Sequence, residues 1–104
     1  MKKKPIIAAN WKMNKTPIEG ATFFNKLSLN YSDLKDMTII LGIPFTGLDS
    51  FMVRPPFFKA AQNCHWEDQG AFTGEISVPI IKNCGVEYII VGHSERRYLF
   101  NEKD

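Results

Sequence analysis

The chain is short of the features that mark several protein classes. Its 104 residues hold only two cysteines, Cys64 and Cys84. They form no C-x-x-C pair, so reduced thiols of a cytosolic protein are expected, not a disulfide or a metal pair. No apolar run approaches the roughly 20 residues that span a bilayer. The N-terminus has charge but lacks the apolar segment and small-residue cleavage site of a secretory signal. A soluble, cytoplasmic protein is therefore expected, with no membrane partner. Charge bias is also missing: 13 Lys and Arg against 11 Asp and Glu leave a formal +2. The one basic run, Lys2-Lys3-Lys4, reads as a solvated lead-in and not as a nucleic-acid arm. No Gly-rich dinucleotide fingerprint, P-loop, nucleophile elbow or H-E-x-x-H is present. The length suits one domain at most, burying roughly 65% of its unfolded surface.

What the chain does have is a repeated alternation of apolar runs with polar, helix-competent stretches. Pro5-Ile6-Ile7-Ala8-Ala9 has no polar alternation, as in a strand covered on both faces. The cluster Asn10-Trp11-Lys12-Met13-Asn14 after it reads as loop. Thr16-Pro17-Ile18-Glu19 then opens a helix, with a capping hydroxyl, a proline at the first position and a glutamate three residues after the cap. Gly20, Phe23, Phe24 and Leu27 recur at helical spacing and predict an inward face. The helix is expected to fade near Ser28 to Asn30. Met37-Thr38-Ile39-Ile40-Leu41 is a second buried strand, and Ile43-Pro44-Phe45 is not expected to continue it because Pro44 has no N–H for a ladder. Residues 46–53 are expected to form a short helix facing Leu48, Phe51 and Met52 inward, broken at Pro55-Pro56. Phe57-Phe58-Lys59-Ala60-Ala61 reads as a third strand that Lys59 interrupts.

Residues 62–75, opening at Gln62, form a long polar loop with two glycines, Trp66 and Phe72. A loop of that length in a compact domain points to function. His65 has no partner spacing and reads as a surface or packing residue. Ser77 is expected to cap a helix reaching Asn83, with Gly85 just past its end. A fourth strand is expected over Val86 to Val91. Gly92 lets the backbone turn, and a short polar helix starts at Ser94. Four β-loop-α units with apolar strands and long crossovers imply an α/β fold with a parallel sheet. This pattern leaves a doubly wound sheet and part of a barrel both open.

In a parallel sheet the carboxyl ends of the strands share one face. Asn10 and Lys12 after strand one should therefore meet His93 and Glu95 after strand four. Lys12 is a cation suited to an anionic substrate, Asn10 an amide donor, and His93 can donate or exchange a proton. Glu95 could hold Lys12 by charge pairing. Each also has a plainer reading: a solvated lysine, a structural histidine, and a glutamate favoured by the start of a helix.

Three stretches carry a resemblance to a known family. Ala8-Ala9-Asn10-Trp11-Lys12-Met13-Asn14 resembles the first-strand motif of the triosephosphate isomerases. Gly70-Ala71-Phe72-Thr73-Gly74-Glu75-Ile76-Ser77 is similar to their long third loop, and Gly92-His93-Ser94-Glu95-Arg96-Arg97 to their fourth-strand motif. Ala61-Gln62-Asn63 fits as well, while residues 43–58 match more loosely. The resemblance implies an eight-stranded (β/α) barrel of about 250 residues. Residues 1–104 would be the N-terminal half of that single domain, reaching the start of the fourth helix.

The resemblance also implies roles. Lys12 would bind the phosphate-bearing substrate and stabilise developing negative charge, with Asn10 shaping the pocket. His93 would polarise the carbonyl, and Glu95 would lie in the supporting shell. The reaction would interconvert dihydroxyacetone phosphate and glyceraldehyde 3-phosphate through an enediolate, a step of glycolysis and gluconeogenesis, with no metal or cofactor. The positive end of a helix disfavours imidazolium; a neutral histidine kept so is this family's own documented case and is carried over as such. Thr73 and Glu75 lie on the loop that in the family inserts into a partner subunit, which implies a homodimer.

The family's general base is a glutamate after the sixth strand, beside a lid over the phosphate. Neither has a counterpart in these residues, and Glu67, Glu75, Glu87 and Glu102 match other places. The chain by itself is therefore expected to be inactive. Two competing readings remain. One is a half barrel that self-associates through the open edges of strands one and four and binds small phosphates without catalysis. The other is a different phosphate-sugar enzyme on a similar barrel.

Overall fold

A computed structural model describes residues 3–104. Met1 and Lys2, and with them part of the basic run, lie outside the described residues; Lys3 and Lys4 are exposed. Among the described residues four strands and four helices follow in the order β1 (Ile6–Asn10), α1 (Pro17–Ser28), α2 (Tyr31–Leu34), β2 (Thr38–Ile43), β3 (Phe57–Ala61), α3 (Val78–Asn83), β4 (Tyr88–Ile89) and α4 (Ser94–Phe100).

The strands are parallel and lie in chain order, β1-β2-β3-β4. The common doubly wound sheets reverse their order within the first four strands, whereas a barrel adds each strand beside the last. The order thus resolves the alternative that the apolar runs left open, in favour of the barrel type. Register sets Asn10 beside Gly42, Ile43 beside Ala61 and Ala61 beside Ile89, so the carboxyl ends share one side.

Helix α1 forms for the expected local reasons. Thr16 Oγ1 accepts from the Glu19 N–H at 3.2 Å, and Glu19 Oε1 accepts from the Thr16 N–H at 3.0 Å. These reciprocal bonds satisfy two backbone donors at the helix start. Gly20 and Phe24 are buried on its inner face and Leu27 is partly buried. Phe23 is not: it is 40% exposed, edge-on to Trp11, with the Lys15 ammonium 4.5 Å from its ring centre. The core lies between β2, β3 and the helices, built from Trp11, Phe24, Leu41, Ile43, Phe57 and Ile81 among others. Phe51 stacks on Phe24 at 5.2 Å, and Phe57 meets the same ring edge-on.

The structure corrects several expectations. No helix spans residues 46–53: a single 3₁₀ turn, Phe45–Gly47, follows β2, and Met52 is 88% exposed although Leu48 is buried. The cause is Lys59. Its side chain crosses the core and its Nζ donates to the carbonyls of Leu48 (2.5 Å), Phe51 (3.0 Å) and Cys84 (2.8 Å). Two carbonyls that a helix would use internally are thus taken by an ammonium. Lys59 does not interrupt β3; at 3% exposure it is part of the buried layer. Burial pushes its pKa below the ordinary lysine value, against the opposing pull of Asp49 and Cys84.

Strand β1 is exposed along its whole length, with Ile6 69% and Ile7 47% exposed, and is not covered on both faces. The fourth strand shrinks from the expected Val86 to Val91 to two residues; Val86 is core, while Val91 is 76% exposed. Both strands border the sheet with a neighbour on one side only, which is the open-edge arrangement expected of a half barrel. The short helix α2 had no clear signal in the sequence. Ser77 caps α3 by accepting from the Ile80 N–H, as expected. Cys64 and Cys84 are free thiols.

Candidate active site

Three strand ends and one helix start build the polar corner. At the end of β1 the side chains alternate: Asn10 faces the corner, Trp11 turns into the core at 7% exposure, and Lys12 returns outward. The Trp11 N–H donates to Gly42 O at 2.9 Å, extending the ladder one residue past the strand. Lys12 has a left-handed φ of 55°, and its N–H donates to Asn10 Oδ1 at 2.9 Å. That conformation is uncommon for a residue with a Cβ and marks a constrained position.

Gln62, directly after β3, ties these residues together. Its amide donates to Lys12 O at 2.9 Å, to Gly42 O at 3.2 Å and to Asn10 Oδ1 at 3.3 Å. From the sequence Gln62 stands only at the start of the loop over residues 62–75, through which a homodimer is expected, with no role in the corner. The available signal was its place at a strand's carboxyl end, the same signal that singled out Asn10 and His93.

On the other side, Gly92 turns the chain with φ 66°, and a Cβ there would come within 2.8 Å of the Arg97 guanidinium. His93 then caps α4 with its own ring: Nδ1 accepts from the Glu95 N–H at 3.1 Å. A nitrogen that accepts carries no proton, so in this geometry the neutral ring bears its hydrogen on Nε2, where it is a donor. Glu95 lies between the two groups. Its Oε1 accepts from Lys12 Nζ at 2.5 Å, and its Oε2 is 3.7 Å from His93 Nδ1. The hydrogen bond from Lys12 holds the Glu95 carboxyl below its usual pKa against the opposing effect of desolvation, with the Lys12 charge acting the same way as the bond. The Lys12 and Glu95 side chains are about half exposed and that of His93 about a quarter.

Asn10, Lys12, His93 and Glu95, singled out from the sequence, thus lie in one connected network. Thr73 and Glu75 do not join it. Thr73 is exposed on the long loop, and Glu75 Oε1 faces His65 Nδ1 at 3.6 Å. A cavity of about 460 Å³, lined by Phe24, Tyr31 and Phe57 among others, contains none of these polar groups. Among the described residues no three His, Cys, Asp or Glu side chains are grouped as metal ligands would be. The corner can hold an anion against Lys12 and present one N–H, from His93 Nε2, to an oxygen that gains charge.

The chain as a whole is similar to known proteins. The family model described as triosephosphate isomerase matches residues 5–104. The chain is 50% identical over 105 aligned residues to a triosephosphate isomerase of Alkaliphilus metalliredigens, covering 98% of this chain and 42% of that protein. It is 47% identical over 107 aligned residues to one of Acetivibrio thermocellus, covering 100% of this chain and 42% of that protein. The crystal structure of triosephosphate isomerase from Bartonella henselae superposes with a TM-score of 0.79 at 33% identity, over 97% of this chain and 43% of that one. The chain therefore spans about two-fifths of the length of these relatives, and its four strands are the first half of a (β/α)₈ barrel. By the match over nearly its whole length, this chain belongs to the triosephosphate isomerase family.

Proposed function

We propose that this chain supplies the phosphate-binding and electrophilic part of a triosephosphate isomerase site, as the N-terminal half of a single barrel domain. The reaction moves a proton between neighbouring carbons of dihydroxyacetone phosphate and glyceraldehyde 3-phosphate. Removing the carbon-bound proton leaves an enediolate whose charge falls on oxygen. Lys12 offsets the phosphate and the developing charge, with its carbonyl and Asn10 held by Gln62. His93 donates from Nε2 to the carbonyl oxygen. Glu95 aligns Lys12 and, through its backbone N–H, holds the His93 tautomer. The exchange consumes and releases no electrons, so it requires no redox cofactor.

The observation that carries this reading is the bond from the Glu95 N–H to His93 Nδ1. It selects the donor tautomer on a ring whose neighbour, Glu95, also grips Lys12. Proton abstraction also needs a base. Glu95 is engaged by Lys12, Glu102 by Arg96 at 2.8 Å, and Glu75 faces His65. The 104-residue chain alone is therefore expected to show no isomerase turnover above background. Substantial turnover from chain purified free of host enzyme would refute this. Binding is tested separately: dihydroxyacetone phosphate should shift the His93 and Lys12 resonances in NMR spectra, and Lys12→Met should abolish the shifts.

The same reading proposes a cytoplasmic homodimer in which the tip of the long loop, with Thr73, sits near Asn10 and Lys12 of the partner subunit. The described residues contain no helix long and apolar enough to cross a membrane. The exposed edges β1 and β4 favour one alternative, a half barrel that self-associates and binds small phosphates without catalysis. Size exclusion separates the two, because edge pairing gives open-ended aggregates whereas loop docking gives a closed dimer.

A further inference from the structure

The loop over residues 62–75 folds around His65, which the sequence marked as a surface or packing residue. Packing is the outcome: the ring is 6% exposed. It lies against Trp66, with centroids 4.2 Å apart and planes at 26°, and against Phe72, at 4.4 Å and 37°. Nδ1 is 3.6 Å from Glu75 Oε1. Below the ring the backbone closes the loop: the His65 N–H donates to Ile76 O at 2.8 Å, and His65 forms a parallel bridge with Ser77. Phe72 and Glu75 are also the two ends of one turn, in which the Glu75 N–H donates to Phe72 O at 2.9 Å. Thr73 and Gly74 are its central residues. One imidazole therefore touches both ends of the turn that forms the tip.

We propose that His65 is the positioning residue of this loop, fixing Phe72 and Glu75 so that the Thr73-Gly74 tip is set before a second copy of the chain is met. The docking half of this statement rests on the function proposed above; the positioning half does not. Two further observations support it. Gly70 has φ 144°, and a Cβ there would stand 2.8 Å from the Phe72 ring, so a side chain at this position would displace that ring. His65 Nε2 is buried without a hydrogen-bond partner. A phenylalanine would stack as well and leave no such orphan, so stacking alone does not account for an imidazole here. What the imidazole adds is the polar edge facing Glu75. Without it, the neck bonds at His65 and Ser77 would still close the loop, but the tip would have only its own turn to define it.

The test is amide hydrogen exchange on the 104-residue chain. His65→Ala should speed exchange of the Glu75 amide by about tenfold or more, through loss of two ring contacts, while β2 amides keep their rates. His65→Phe should restore part of the protection, because it keeps the stacking and loses the Glu75 edge. Gly70→Ala should loosen the same amide without altering His65. Unchanged protection in His65→Ala and Gly70→Ala would overturn the proposal. Equal acceleration in β2 would overturn it too, since His65 would then support the whole fold and not the tip. His65→Phe as fast as the alanine variant would refute the stacking. Sedimentation equilibrium tests the docking half: His65→Ala should weaken self-association about as much as it loosens the tip. A loosened tip with unchanged association would confirm positioning and refute docking by this loop.

Discussion

Replacing Lys59 by methionine keeps most of the aliphatic stem and removes the ammonium that three backbone carbonyls share. A buried acceptor left without a donor costs about 1–3 kcal/mol. The Leu48 carbonyl is fully buried and bears that cost in full, whereas those of Phe51 and Cys84 are part-buried and recover water. Relief from holding a cation at 3% exposure offsets some of the loss. The balance is a destabilisation of about 1–2 kcal/mol, a sizeable share of the roughly 5–15 kcal/mol typical of a domain. Urea unfolding reads this directly: with a slope of ~1 kcal/mol per molar, the midpoint should fall by about 1–2 M.

The pH dependence gives the same test a sign. Because burial lowers the Lys59 pKa in the folded chain, the native state binds fewer protons than the unfolded state between the folded value and the ordinary one. Stability therefore rises with pH across that window, and its full penalty applies below it. The stability gap between the wild-type chain and Lys59→Met should widen as pH rises towards the ordinary lysine range. A Lys59→Met chain as stable as wild type, with a gap that ignores pH, would refute the reading of Lys59 as the tie between β3, the segment after β2 and the end of α3.

Two further predictions concern the helix start and the site. Thr16→Ala removes the cap that accepts from the Glu19 N–H and should cost about 1 kcal/mol in urea unfolding, with faster amide exchange confined to the first turn of α1. The Glu95 carboxyl is held below its ordinary pKa chiefly by the hydrogen bond from Lys12. Its contribution is therefore present above the ordinary carboxylate value and lost as pH falls through the folded value. A carbonyl-detected NMR titration should show Glu95 protonating later than an isolated glutamate, and Lys12→Met should remove most of that difference.

Much of the fold was legible because its signals are local. The Thr16–Glu19 capping box, the Ser77 cap and the apolar runs of β2 and β3 each depend on residues close in sequence; the caps and β3 formed where expected, and β2 ran on through Gly42 and Ile43 to end directly before Pro44. The site was legible for a topological reason: parallel strands bring Asn10, Lys12, His93 and Glu95 to one side whatever the intervening sequence. What escaped depends on distant partners. Lys59 reads as an interruption until three carbonyls from two other segments surround it, and the same carbonyls explain why no helix forms after β2. Gln62 reads as the first residue of a loop until it reaches across to Lys12 and Gly42. His65 has no sequence partner because its partners, Phe72 and Glu75, return only when the loop closes. The expected covering of β1 on both faces and the expected length of β4 failed because an apolar run does not say what packs against its faces.

The central claim is that Lys12 and His93 of this chain form the working half of an isomerase site. The most direct test joins residues 1–104 to the remaining barrel of a relative and measures conversion of dihydroxyacetone phosphate by a coupled assay. The chimera should turn over, and His93→Gln should lower kcat by about 10²–10³, the usual cost of losing one donor to a developing oxyanion. A folded chimera whose turnover is unaffected by His93→Gln, or that shows none with His93 in place, would contradict the account.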